Sequence, residues 1–372
     1  MMTNIAMLLR ISSTGWLVLL SLSCLMSSWT GTSSTTSLTI MISAFSSSSS
    51  SSSNLRLSSS PPASQTKNKD QNKLKRKIRA ISLDITGTLI TTREPVIQSY
   101  YDALVWSNFP NPPTQQEMKA AFKIAYKERC IEAPCFGGGT RGSNDSTTGS
   151  GGREWWKETV RRVLYHSGRS LQTNDYTEEQ FDRYFRRVYQ HFGSPNGYMV
   201  LDDAAEFLNE IQQRQQQQGH DALPIVLGIT SNTPTRHIES VLPMLDIHDH
   251  FYWFSCAQDV GYEKPSVEIF DHAYRQAKYW VGGESGSNNN NNNRDVLQKD
   301  EILHVGDSLA CDYCGAKAYG FDALHLDRSR HPANITSYQD WIDAPEYPGK
   351  DDDTIDDNTI TNLMEIFDKI LP

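Results

Sequence analysis

Four short polar clusters stand out in this chain, each set directly after an apolar run or directly before a helical pattern. Asp84-Ile85-Thr86-Gly87-Thr88 follows the run of Ile78, Ala80, Ile81 and Leu83. An acid at a strand end can be a nucleophile, a metal ligand or simply a turn former. Gly87 permits the sharp exit that such a position needs. Thr230-Ser231-Asn232 closes another apolar run, 225–230. A hydroxyl there can donate to a phosphoryl oxygen without adding charge, although the same residues also serve as helix caps and Asx turns.

Lys264 stands in Gly261-Tyr262-Glu263-Lys264-Pro265, just before a helical pattern over 267–279. A lysine so placed is a compact positive charge that can be aimed at an anionic ligand beside helix amides, or it is an ordinary solvated lysine. Gly306-Asp307-Ser308 follows the buried-strand run Ile302-Leu303-His304-Val305, and Asp312 lies five residues beyond Asp307. Mg2+ takes hard oxygen ligands, commonly one or two carboxylates with substrate phosphate oxygens. Asp84 and Asp307 on neighbouring strand ends would supply such a pair, and Asp312 could orient Lys264 or the metal's waters.

The elements that must carry these clusters are legible in outline. Residues 77–84 read as a buried parallel strand. Helical patterns follow over 96–109, 114–126, 153–165, 178–192 and 201–212, interrupted by a Gly-, Ser- and Asn-rich stretch at 137–152. Strand and helix then alternate, with strands at 225–230, 251–255, 301–305 and 323–326 and helices at 235–242, 267–279 and 310–319. Residues 344–357 are acidic, and 360–371 is apolar at helical spacing, as for a closing helix. A strand, a long helical excursion and then repeated strand–helix units predict an α/β fold: a doubly wound parallel sheet with an inserted helical domain. Reactive groups in such sheets gather at the carboxyl ends of the strands.

Composition narrows the alternatives. With 38% hydrophobic and 21% charged residues in 372, the chain reads as globular. Its net charge is −9, yet residues 1–69 contain no acid and four basic residues, Arg10, Arg56, Lys67 and Lys69. The remainder is therefore the more acidic part, which argues against a nucleic-acid binder. The first 69 residues combine an apolar stretch at 16–29, Ala44-Phe45, eight serines at 46–53 and Pro61-Pro62. This order resembles a two-part plastid-targeting leader, with a mitochondrial or other organelle leader as the alternative. The apolar stretch is short for a spanning helix, so no stable membrane span is expected in the mature chain. Five cysteines beyond the leader form no disulfide framework. Cys311-x-x-Cys314 is only half a structural zinc site, so these two read as small core residues.

Taken in order, DxxGT, SN after a strand, KP before a helix and GDxxxxD resemble the four motifs of the haloacid dehalogenase (HAD) superfamily, over roughly residues 77–335. Arg153-Glu154-Trp155-Trp156, Val200-Leu201-Asp202, Glu263-Lys264-Pro265 and Cys311-Asp312-Tyr313 further resemble its "domain-containing protein 3" subgroup. The resemblance implies a Rossmann-like core at 76–92 plus 200–335 and a helical cap at 93–199. The acidic segment and closing helix, 340–372, lie beyond the stretch that carries the resemblance. The resemblance also implies Asp84 as nucleophile, and Mg2+ held by Asp84, the Thr86 carbonyl and Asp307, with Asp312 near the metal. Ser231 and Lys264 would bind the phosphoryl oxygens, with Thr88 and Asn232 in the same phosphate site. The substrate would be a small phosphoester, and the oligomeric state stays open.

One position departs from that pattern. Phosphatases of the superfamily usually carry a second Asp two residues after the nucleophile, and here it is Thr86. A threonine hydroxyl does not titrate near neutral pH and cannot perform that acid–base role well. DITGT instead resembles the DKTGT of P-type ATPases, in that segment alone. The expected order of readings is a slow phosphatase first and a non-enzymatic binding protein second. A dehalogenase comes last, since those enzymes typically carry an aromatic residue at the Thr86 position.

Overall fold

A computed structural model describes residues 78–138, 152–217, 225–282, 296–330 and 357–370. The leader, most of the Gly-rich stretch, the Asn run and nearly all of the acidic segment lie outside the described residues. The chain enters through β1 (Ala80–Leu83), buried at all four positions, as a strand covered on both faces requires. It turns at Gly87 into β2 (Ile90–Thr92) and then enters four helices: α1 (Val96–Trp106), α2 (Gln115–Glu132), α3 (Gly152–His166) and α4 (Glu178–His191). β3 (Tyr198–Val200) returns antiparallel to β2, and α5 (Asp202–Gln217) leads back to the sheet. Then follow β4 (Val226–Ser231), α6 (Leu242–Met244), β5 (Trp253–Cys256), α7 (Ala257–Val260) and α8 (Val267–Gly282). β6 (Ile302–Gly306), α9 (Gly315–Tyr319), β7 (Asp322–Leu326), β8 (Thr359–Ile360) and α10 (Ile366–Ile370) complete the described chain.

The six-stranded sheet has the order β5-β4-β1-β6-β7-β8, parallel throughout. Strand order therefore runs outward in both directions from β1, which makes its carboxyl end the natural crevice of the sheet. One face packs Phe207, Ile211, Ile366 and Phe367 against the strands, and the other packs Ile269, Phe270, Ala273 and Ala316. The cap helices bury a separate cluster of their own. In α4 it is formed by Phe181, Tyr184, Phe185 and Val188, the spacing of one helix face. Thr114 and Thr177 start α2 and α4 with reciprocal capping boxes to Glu117 and Gln180. Among the described residues no helix is long and apolar enough to cross a membrane.

Three local features differ from the sequence reading. The β2/β3 ribbon has three residues per strand, too few for periodicity to register. The helices expected at 235–242 and 310–319 begin as wide π turns, His237–Val241 and Leu309–Cys314. The expected closing helix at 360–371 starts instead as β8. There the open edge of β7 decides the conformation, through His325 N to Asn358 O (3.0 Å) and Asp327 N to Ile360 O (2.8 Å); helix follows only from Ile366.

A long-range clamp closes this architecture. Arg328, just past β7, donates through Nε and Nη2 to the buried Asp203 carboxylate (3.1 and 2.9 Å). It also donates to the carbonyls of Gly87 and Thr88, the latter at 2.8 Å. Asp203 accepts Leu363 N as well (3.0 Å). The loop after β1, the start of α5 and the C-terminal segment thus meet on one ion pair. Arg328→Met leaves a buried carboxylate without its cation and is expected to cost about 3 kcal/mol in denaturant unfolding. Arg328→Lys should recover little of this, because an ammonium cannot span the carboxylate and both carbonyls. A loss of less than about 1 kcal/mol for Arg328→Met would show that the clamp does not hold the loop.

Candidate active site

Asp84, Ser231 and Asp307 stand at the carboxyl ends of the adjacent strands β1, β4 and β6. Lys264, on the loop before α8, reaches into the space between them and is 4% exposed. Its ammonium meets Asp84 Oδ1 at 2.6 Å, the Thr230 carbonyl at 2.8 Å and Asp312 Oδ1 at 2.5 Å. An ammonium has three donors, and all three are committed. Its backbone is fixed too: Lys264 N donates to Asn232 Oδ1 (2.6 Å), and Asn232 Nδ2 donates to Lys264 O (2.9 Å). The side chain of Asn232, expected in the phosphate site, is therefore engaged in positioning Lys264.

Asp312 is equally committed. Its Oδ1 accepts from Lys264 and from His304 Nε2 (3.0 Å), and its Oδ2 accepts Ser308 N (2.9 Å). Gly306 allows this approach, since a Cβ there would lie 2.2 Å from Asp312 Cγ. A carboxylate can only accept, so Nε2 of His304 carries the proton facing Asp312. Burial holds the His304 pKa below its ordinary value, although Asp312 favours the charged ring. The other ring nitrogen lies 3.0 Å from Ser82 Oγ, which lies 2.7 Å from Thr230 Oγ1. Ser82 and His304 are register partners on β1 and β6. The result is a buried polar seam that runs across the sheet to Asp312. Its sequence signal is the pair of polar residues interrupting otherwise apolar strands; the sequence reading placed His304 in a buried strand but did not connect it to Ser82 or Thr230.

The charges around Lys264 do not balance. Carboxylate oxygens of Asp84, Asp307 and Asp312 lie within 4.8 Å of one another. Burial would raise the pKa of Asp312, but Lys264 and His304 hold it below the ordinary carboxylate range. Burial would likewise depress Lys264, but Asp312 and Asp84 raise it, so the ammonium is firmly charged. Burial raises Asp84 against the pull of Lys264. Desolvation, followed by the charges of Asp84 and Asp312, raises Asp307 well above the usual value. One ammonium among three acids leaves a deficit of positive charge, and the donors are hard oxygens of the kind Mg2+ takes. Gly87, at φ +84°, keeps its hydrogen against Asp307, where a Cβ would sit 2.1 Å from Oδ2. The residues present therefore fit a divalent cation between Asp84 and Asp307.

The remaining expected residues separate by position. Ser231 is fully buried, and its Oγ makes no hydrogen bond of ordinary geometry, while it still favours the ionised form of Asp84. Thr88 is also fully enclosed with an unpartnered hydroxyl. Thr86 is half-buried and borders a cavity of about 550 Å³ that extends away under the cap. Tyr100, Trp156, Phe185 and Tyr189 line that cavity, whereas Trp155 and Tyr184 are buried in the cap. Helical periodicity alone could not separate these two groups of aromatics. Cys311 and Cys314 are half-buried in the wide turn after β6 and form no disulfide.

Comparison with known proteins places the chain in a family. Residues 78–320 match the family model "haloacid dehalogenase-like hydrolase". The human haloacid dehalogenase-like hydrolase domain-containing protein 3 is 25% identical over 248 residues, covering 66% of this chain and 81% of its own. The rhythmically expressed gene 2 protein of Drosophila melanogaster is 20% identical over 267 residues, 72% of this chain and 90% of its own. Among solved structures, a magnesium-bound HAD-hydrolase of Bacillus subtilis covers 80% of this chain and 100% of its own, with TM-score 0.46 and 16% identity. The L-2-haloacid dehalogenase of Xanthobacter autotrophicus covers 79% and 100%, with TM-score 0.45 and 14% identity. The match over 78–320 takes in every one of the four polar clusters and the helices between them, and this chain belongs to the haloacid dehalogenase-like hydrolases.

Proposed function

We propose that this hydrolase is a Mg2+-dependent phosphatase acting on a small phosphorylated metabolite through a phosphorylated Asp84. The observation that carries the reading is the fixed ammonium of Lys264, 2.6 Å from Asp84, beside a trio of acids that lacks positive charge. Phosphoryl transfer asks a protein for alignment and charge neutralisation above all. In this reading Asp84, Asp307 and the Thr86 carbonyl hold the ion, and Asp312 stands behind Lys264 as its orienting partner. When bound, Mg2+ supplies electrostatic stabilisation and a template for the phosphoryl oxygens.

The protein's own steps follow from placement. Ser231 Oγ, fully buried beside Asp84, donates to a phosphoryl oxygen, and Lys264 neutralises its charge. Asp84 attacks phosphorus, the bond to the leaving oxygen breaks, and that oxygen takes its proton from solvent water. Water then attacks the same phosphorus, releases phosphate and returns the Asp84 carboxylate. Both the proton delivery and the activation of water want a titrating group close to the nucleophile, and Thr86 occupies that position without being one. Loss of a general acid–base is worth about 10²–10⁴-fold, so the phosphorylated form outlasts that of an Asp-bearing relative.

Two experiments on the full chain test this. Asp84→Asn is expected to abolish turnover of phosphomonoesters, as is removal of Mg2+ with a chelator, with Mg2+ restoring only the unsubstituted protein. Activity that persists in Asp84→Asn would sink the mechanism, and a folded protein that binds phosphoesters without turning them over would favour a binding role. Thr86→Asp is expected to raise kcat by about 10–100-fold in steady-state assays. An unchanged kcat would show that proton transfer at this position does not limit the reaction.

A further inference from the structure

The cavity beside Thr86 has a chemical character of its own. It holds about 550 Å³, within the range of sites that enclose ligands of many atoms, and far more than a two-carbon phosphoester fills. Its cap side is strongly aromatic, with Tyr126, Trp156 and Tyr189 among the lining residues. Its core side is the loop after β4, where Asn232, Thr233 and Arg236 border it. Thr86 and Asn232 belong to the catalytic loops, so the cavity begins where a leaving group would emerge.

Within these aromatic walls stands one cation without an acid. The Arg236 guanidinium sits over Tyr189, 3.7 Å from the ring centroid, and no ion pair to a carboxylate among the described residues holds it. Arg153 borders the same cavity but is paired with Glu154 at 2.6 Å. Glu239 also lies on the rim and makes no ion pair with Arg236. His237 adds no charge, because burial lowers its pKa to about 4. The guanidinium also packs on Gly193, where a Cβ would lie 1.6 Å from Nη2, yet its in-plane N–H donors have the fork geometry that a carboxylate matches. A second donor is present in Thr233, 5% exposed, whose buried Oγ1 has no hydrogen-bond partner.

We infer that the leaving group of the substrate is an aromatic or similarly flat apolar body bearing a carboxylate, and that Arg236 selects for that charge. The inference rests on the phosphatase reading for where the phosphoryl group sits. The rings receive the flat faces, and Arg236 with Thr233 receives the carboxylate, so recognition is completed at the end remote from Asp84.

Calorimetric binding to the full-length Asp84→Asn chain with Mg2+, alongside turnover by the unsubstituted chain, tests this with 4-carboxyphenyl phosphate, phenyl phosphate and phosphoglycolate. The carboxylated aryl ester is expected to bind about tenfold tighter than phenyl phosphate, and phenyl phosphate tighter than phosphoglycolate. Adding Arg236→Met should erase the preference for the carboxylate, and Arg236→Lys should keep part of it. Equal or better binding of phosphoglycolate, or a preference that survives Arg236→Met, would overturn the assignment. The expected binding order without turnover would preserve it and defeat the phosphatase reading. Turnover with no preference for ring or charge would do the reverse, and no binding of any ester would overturn both.

Discussion

A buried ammonium is costly unless every donor is met, and the carboxyl end of this sheet is organised around meeting those of Lys264. Asp84, Asp312 and the Thr230 carbonyl each take one donor. His304 and Ser308 fix Asp312, and Asn232 fixes the backbone of Lys264. Asp84 is thereby held by the ammonium that, in the proposed reading, a phosphoryl group would meet. Residues from four separate stretches of sequence are drawn into one arrangement, in which shifting any member exposes another to an unpaired buried charge.

That arrangement was partly legible. Asp84, Ser231, Lys264, Asp307 and Asp312 could be picked out because a parallel sheet ends its apolar strands abruptly, and polar residues at those breaks are conspicuous. The doubly wound fold followed from the alternation of strand and helix patterns. The partners were harder to see. The carbonyl of Thr230 has no side-chain signature, and Asn232 looks the same whether it binds a ligand or a backbone. Arg328 and Asp203 lie 125 positions apart, and nothing local marks either as belonging to the first strand's loop. β2, β3 and β8 are too short for a period of two to show, and only their pairing partners define them.

The cap does more than cover the sheet. Glu263, the residue before Lys264, accepts the backbone N–H of Cys135 from the cap (3.1 Å). Gly138 lies so close to Gln258 that a Cβ would be 2.0 Å from its carbonyl oxygen. Trp155 donates to the Ala133 carbonyl (2.7 Å), which ties α3 to the same turn. The loop that carries the Lys264 ammonium therefore also contacts the cap, through Glu263, so the cavity wall and the buried charge share a foundation.

The Arg328 clamp bears on how the chain is made. The loop carrying Gly87 is among the first core segments to be synthesised, yet the arginine that holds it comes 241 positions later, and Leu363 later still. Contacts this distant form slowly, because a long stretch of chain must close before they reward it. A nascent chain therefore carries Asp84 long before it can fix the loop after it in place. The last contacts of the Asp84 loop are thus made only once the C-terminal part of the domain is present.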